Sequence, residues 1–194
     1  MKKVEVHGRR RLLDGFFQVD EVTLSHELLD GRMSRPLRRL VLERGDAVAA
    51  LLFRPVDQRV VLVRQFRAPA SQRGQGWLLE VVAGIPDPGE ELATAARREI
   101  LEETGYQVEE LEPIATFYTT PGGSSEHIHL FYAQVSEAQR LAPGGGCIEE
   151  DEDIEVVELG LEEVWGLLDE GRIDDAKTLI ALMWLRASKA GVGG

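Results

Sequence analysis

The chain has 194 residues, 43% of them hydrophobic, and a formal net charge of −12. That is enough for one sizeable core with a small appendage, and the acidic balance excludes nucleic acid as the main partner, since a phosphate backbone needs a basic surface. The single cysteine, Cys147, excludes an internal disulfide framework and fits a reducing compartment.

The N-terminal stretch MKKVEVHGRRRLLDGFF is basic but has no apolar run of signal length. No segment approaches the ~20 apolar residues needed to span a bilayer. A soluble cytoplasmic protein that engages neither membrane nor nucleic acid is the expectation. Small phosphorylated substrates stay open to it, because a bound cation inverts the local field of an acidic site.

In chain order, residues 16–42 read as antiparallel strands, with a turn signal at Asp30-Gly31. Residues 1–43 are therefore expected to form a small strand unit, marginal by itself, and residues 44–190 the main domain. Asp46–Phe53 and Arg59–Gln65 read as a central apolar hairpin, and Leu78–Ala83 as a further strand. A helix is expected from Thr94, free of Gly and Pro until Gly105. Ile114–Tyr118 and Ile128–Val135 read as strands around the loop TTPGGSSEH. Residues 142–153 form a glycine-rich, then acidic, loop. Ile154–Leu159 reads as the last strand, and Leu161–Glu170 and Lys177–Lys189 as helices. Strands interleaved with helices predict an α/β fold with a mixed sheet covered on both faces.

The chemistry is concentrated in residues 84–106, GIPDPGEELATAARREILEETGY. Glu99 and Glu103 stand four apart on one helix face, and Glu102 lies beside them. Like charges at that spacing destabilise a bare helix by a few tenths of a kcal/mol. A divalent cation reverses the sign, and oxygen-only carboxylate sites suit Mg²⁺ or Mn²⁺. Taken alone, Glu and Arg runs on a helix are more often a solvated face.

The full spacing overturns that bland alternative. Gly84, Glu90, Arg98-Glu99-Ile100, Glu102-Glu103 and Gly105 fall at the intervals that specify the Nudix hydrolases, and the stretch resembles their signature. The signature's last position is usually a smaller aliphatic residue, here Tyr106. The resemblance implies an α-β-α sandwich, with a small N-terminal antiparallel β domain whose strands are exchanged in a homodimer. It implies metal ligation by Glu99, Glu103 and the carbonyl of Ala83, with Glu102 as accessory. Glu90 and Arg98 would form an ion pair that fixes loop to helix, and Gly84 and Gly105 would serve as turn and helix stop.

Pro121, sixteen residues past Gly105, and the segment YTTPGGSSEHIHLFYA resemble the catalytic loop of the branch acting on ADP-ribose and related nucleoside diphosphate sugars. There Glu126 matches the glutamate that activates or orients water. RQFR at 64–67, GGGCIEEDEDIEVVEL at 144–159 and GRIDDAKTLIAL at 171–182 look most like the GDP-mannose branch. By that likeness Glu152 joins the metal cluster with Asp151 beside it, and Lys177 and Arg67 contact nucleotide and diphosphate. Arg38 and Arg39 match a basic pair from the partner subunit, and Phe16 matches an aromatic residue near the base. Surface cations in an acidic protein also commonly just balance charge. Two departures bear on the base. Leu40 stands where that branch has an acid, and Phe16 lacks a hydroxyl and cannot donate a hydrogen bond.

The expected activity is Mg-dependent hydrolysis of a GDP-mannose or ADP-ribose type substrate to a nucleoside monophosphate and a sugar phosphate. The alternatives are a pyrophosphatase specific for ADP-ribose and a non-catalytic nucleotide-binding module of the same fold. The latter would be expected to lose signature carboxylates that this chain keeps.

Overall fold

A computed structural model describes residues 2–147 and 152–190. The chain folds as two compact units. One is built from the chain up to Asp46 together with Tyr118–His127, the other from Ala47–Phe117 and the chain from Ile128 on.

The first unit is a three-stranded antiparallel sheet, in the order β1 (Val4–Asp14), β2 (Gln18–His26), β3 (Leu37–Glu43). The sequence expectation began at residue 16 and missed β1. Its run HGRRRLLD carries no hydrophobic alternation, and its residues are almost all exposed. It is held instead by cross-strand charge. The Nε groups of Arg9 and Arg11 each donate at 2.5 Å to Asp20, which is buried, and Arg10 reaches Glu21 at 3.2 Å. The segment Tyr118–His127 rides on the edge of β3. The Leu42 N–H donates to the Gly123 carbonyl at 2.8 Å, and the Ser125 N–H donates to the Leu42 carbonyl at 3.2 Å. Leu42 and Ser124 thereby form a parallel bridge.

The second unit is built on one mixed sheet, in the order β10 (Ile154–Gly160), β5 (Arg59–Phe66), β4 (Ala47–Arg54), β9 (His127–Gln134), β8 (Glu112–Tyr118). Short strands β6 (Trp77–Glu80) and β7 (Val82–Gly84) pair with β5 and β4. β4 runs parallel to β9 and antiparallel to β5. Every residue of β4 is buried, as its unbroken apolar run implies for a strand covered on both faces. Alternate β4 residues feed two cores. Ala49, Leu51 and Phe53 face α2 (Leu161–Asp169) and α3 (Ala176–Ala190), while Ala50 and Leu52 pack with Ile100 of α1 (Leu92–Thr104) and with Tyr106. This is a helix-sheet-helix arrangement, and it fits the α/β expectation.

The strand expected over Leu78–Ala83 is split at Val81. Its N–H donates to the Thr178 hydroxyl of α3 at 2.7 Å, so the backbone leaves one neighbour strand and joins another without an unpaired buried donor. Among the described residues no helix is long and apolar enough to cross a membrane.

Candidate active site and metal centre

The helix α1 begins with Glu91, whose carboxylate accepts from the Thr94 N–H at 3.2 Å, and ends on Gly105 in the left-handed region at φ 76°. Gly105 is thus the helix stop that its residue type predicts. Ahead of the helix, the loop is tied back by Arg98. Its guanidinium meets Glu90 at 3.2 and 2.9 Å and the Ile85 carbonyl at 3.3 Å, as an ion pair fixing loop to helix requires. The same guanidinium also reaches Glu99 at 2.8 Å and Glu102 at 3.1 Å.

Gly84 departs from expectation in its physical reason. Its φ is not in the left-handed region, and it closes the strand β7. A Cβ there would overlap the Glu99 carboxyl. The glycine exists to let that carboxylate lie against the backbone, not to make a turn.

Glu99, Glu102 and Glu103 crowd the last turns of α1, where the helix dipole is already negative. Glu103 is buried at 2% exposure, and its Oε2 has no hydrogen-bond partner among the described residues. Burial pushes its carboxyl well above the usual carboxylate range, the charges of Glu99 and Glu152 push it further, and Arg67 and the Ala83 backbone act in the opposite direction. Burial also raises Glu99, against the pull of Arg98 and with a push from Glu102 and Glu152. No three His, Cys, Asp or Glu side chains form a closed ligand group among the described residues. What converges is an electrostatic misfit: a buried carboxylate with an orphaned oxygen and like-charged neighbours. An uncompensated group of this kind costs several kcal/mol in a protein interior. A hard divalent cation is the chemistry that relieves it, so Glu99 and Glu103, with Glu102, Glu152 and the Ala83 carbonyl nearby in sequence or field, fit a metal.

Glu152 owes its place to the glycine loop. Gly144, Gly145 and Gly146 all have positive φ, at 75°, 120° and 82°. In that conformation the Gly145 N–H donates to the Glu103 carbonyl at 2.9 Å and the Gly146 N–H to the Glu102 carbonyl at 3.2 Å. The loop is therefore the C-terminal cap of α1. The Glu152 carboxylate accepts from the Cys147 N–H at 3.0 Å. Asp151 lies outside the described residues.

Arg67 and Lys177 meet on a residue that the sequence did not single out. Arg67 grips Glu80 through two bonds at 2.9 and 2.8 Å, and Lys177 Nζ reaches the same carboxylate at 2.6 Å and Asp175 at 3.0 Å. Glu80 is 1% exposed. Burial alone would raise it, but Arg67 and Lys177 hold it down at about 2.

The other candidates belong to the first unit. Glu126 is buried, accepts from the Thr119 hydroxyl at 2.9 Å and pairs with Arg44 at 3.3 Å. Arg38 is ion-paired with Glu21, and Arg39 is exposed and donates to the Arg38 carbonyl at 2.8 Å. Phe16 is 79% exposed and meets only Phe17, edge to face at 4.9 Å, among the printed ring contacts.

Residues 43–182 match the model of the NUDIX domain. The chain belongs to the Nudix family. It is 39% identical over 184 residues to an ADP-ribose pyrophosphatase of Escherichia coli (strain K12), covering 94% of this chain and 88% of that protein. It is 38% identical over 189 residues to a GDP-mannose pyrophosphatase of Citrobacter koseri, covering 96% of this chain and 97% of that one. The crystal structure of an ADP compounds hydrolase superposes with a TM-score of 0.73 at 25% identity, over 98% of this chain and 96% of that one. The protein is accordingly a Nudix hydrolase rather than a non-catalytic module.

The departure from the Nudix signature at Tyr106 has a structural reason. The ring is fully buried, and its hydroxyl accepts from Arg54 at 2.9 Å and donates to Glu158 at 3.2 Å. Arg54, itself buried, also meets Asp57, Glu137 and Glu158 at 2.8, 2.7 and 2.7 Å. A smaller aliphatic residue at position 106 would leave this guanidinium one partner short. His127 and His129 sit on β9 as strand residues, within reach of Asp46 and Thr116 at 3.3 and 3.1 Å.

Proposed function

We propose that this Nudix hydrolase cleaves the diphosphate bond of a nucleoside diphosphate sugar of the ADP-ribose or GDP-mannose type. The products are a nucleoside monophosphate and a sugar phosphate. The observation that carries the proposal is the orphaned oxygen of Glu103 inside a cluster of mutually repelling carboxylates. Glu99 and Glu103 would hold Mg²⁺, or Mn²⁺ in its place, with Glu102, Glu152 and the Ala83 carbonyl adding oxygens. When bound, such a cation neutralises diphosphate charge and acidifies water.

The chain's own residues supply the rest. Arg67 and Lys177, held by Glu80, place two positive charges on the same unit as the carboxylates and suit a diphosphate. Gly84 keeps Glu99 against the backbone. Glu126, by the likeness of its loop, orients or deprotonates the attacking water. Phe16 would stack on the base, and Asp151 and the Arg38-Arg39 pair would complete substrate binding. The arginines would come from the partner subunit of a homodimer with exchanged N-terminal strands.

Relatives of both named activities stand within one per cent in identity, at 39% and 38%. Phe16 and Leu40 favour ADP-ribose, because neither can make the polar contact that the GDP-mannose branch has at that place. The test is product analysis over a nucleotide-sugar panel with Mg²⁺. ADP-ribose and GDP-mannose are expected among the cleaved compounds, and Glu103→Gln is expected to abolish turnover. An inert wild-type protein, or undiminished turnover in Glu103→Gln, would overturn the assignment.

A further inference from the structure

The three-stranded sheet does more than contribute arginines along its length. Its last strand grips the loop that carries Glu126. The β3 residue Leu42 makes backbone bonds to Gly123 and Ser125 at 2.8 and 3.2 Å. Its neighbour Glu43 accepts from the Ser125 hydroxyl at 2.5 Å. The next residue, Arg44, places Nη1 3.3 Å from Glu126 Oε1, while Thr119 at the other end of the loop donates to Oε2 at 2.9 Å. Both carboxylate oxygens are thus occupied by groups of the same unit, and the Glu126 N–H is turned onto the Ser124 hydroxyl at 3.2 Å. A glutamate on a Gly-Gly-Ser-Ser loop would otherwise sample many rotamers, because a side chain of this length loses up to ~2 kcal/mol of entropy when fixed.

We propose that Arg44 is a positioning residue for the water-handling carboxylate, acting through Glu126 with the end of β3 as its clamp. The proposal rests on the assignment of Glu126 to the attacking water. A single charged contact to one oxygen fixes direction without requiring a bidentate fork, so lysine can partly replace arginine here. Misplacement of a catalytic group by about 1 Å costs on the order of 100-fold.

The experiment is a double-mutant cycle on the full chain with Mg²⁺ and a cleaved nucleotide sugar. It compares wild type, Arg44→Ala, Arg44→Lys, Glu126→Gln and the Arg44→Ala/Glu126→Gln pair, with a thermal melt on each to confirm folding. Glu126→Gln is expected to lower kcat by about 10²–10⁴-fold, the usual range for a lost general base. Arg44→Ala is expected to lower kcat by about 10–100-fold with KM within about threefold, and Arg44→Lys to recover part of that loss. The pair should be no slower than Glu126→Gln alone, because Arg44 has nothing left to position. If Glu126→Gln is fully active, the water assignment fails and the proposal falls with it. If Glu126→Gln is crippled but Arg44→Ala acts additively with it, or changes KM alone, the assignment stands and Arg44 is a substrate contact or a bystander.

Discussion

Replacing Glu80 with glutamine is the sharpest test of the electrostatics in the larger unit. The carboxylate is 1% exposed and takes three bonds, from Arg67 at 2.9 and 2.8 Å and from Lys177 at 2.6 Å. Its own desolvation raises the pKa, yet the two cations win and hold it at about 2 against an ordinary 4.5. At 1.36 kcal/mol per pKa unit, that difference corresponds to ~3 kcal/mol of folding stability at pH 7. The folded-state value is depressed, so the stabilisation is complete above the ordinary carboxylate range and is lost as pH falls through about 2. Glutamine keeps the shape but leaves Arg67 and Lys177 facing a neutral amide. Urea unfolding should therefore show Glu80→Gln less stable by ~3 kcal/mol at pH 7, with the gap narrowing to ~2 kcal/mol near pH 3.5. A variant as stable as wild type at pH 7, or a gap that does not change with pH, would refute the claim that the paired charge stabilises the fold.

Two further substitutions separate site from scaffold. Gly84→Ala inserts a Cβ into the space of the Glu99 carboxyl, so Mg²⁺ titration of activity should show at least a roughly tenfold weaker apparent affinity, with the melting temperature little changed. Tyr106→Phe removes the hydroxyl shared by Arg54 and Glu158, so chemical unfolding should show a loss of ~1–3 kcal/mol, while kcat/KM stays within about threefold.

What the sequence revealed and what it concealed divide along a physical line. The signature positions were legible because they are local: Glu90 and Arg98 lie eight apart and close one loop, and Gly105 announces a helix end by residue type alone. Gly84 was legible as necessary but not for its reason, since a close approach by a side chain leaves no trace in backbone preference. Glu80 was invisible because its partners lie 13 and 97 residues away and its own neighbours read as an ordinary strand. Strand β1 was concealed because charge pairs across strands, not alternating apolar residues, hold it. Tyr106 looked like a tolerated oddity until Arg54 and Glu158 were beside it, 52 residues away on either side. The glycines at 144–146 declared a loop, yet nothing in their composition names the α1 carbonyls they satisfy.

That loop has an engineering consequence. Glu152 and Cys147 are joined by two bonds, side chain to N–H at 3.0 Å and N–H to carbonyl at 3.3 Å, and Ile154 is fastened to Gly145 at 3.3 Å. The chain is thus pinched shut at a neck, and whatever length passes between the pinched residues closes onto the same anchor points. Lengthening a closed loop costs only ~0.6 kcal/mol for each doubling. An affinity tag or peptide grafted between residues 148 and 151 should leave the carboxylate of Glu152 where it is, which makes this neck a natural port for attaching cargo to the enzyme.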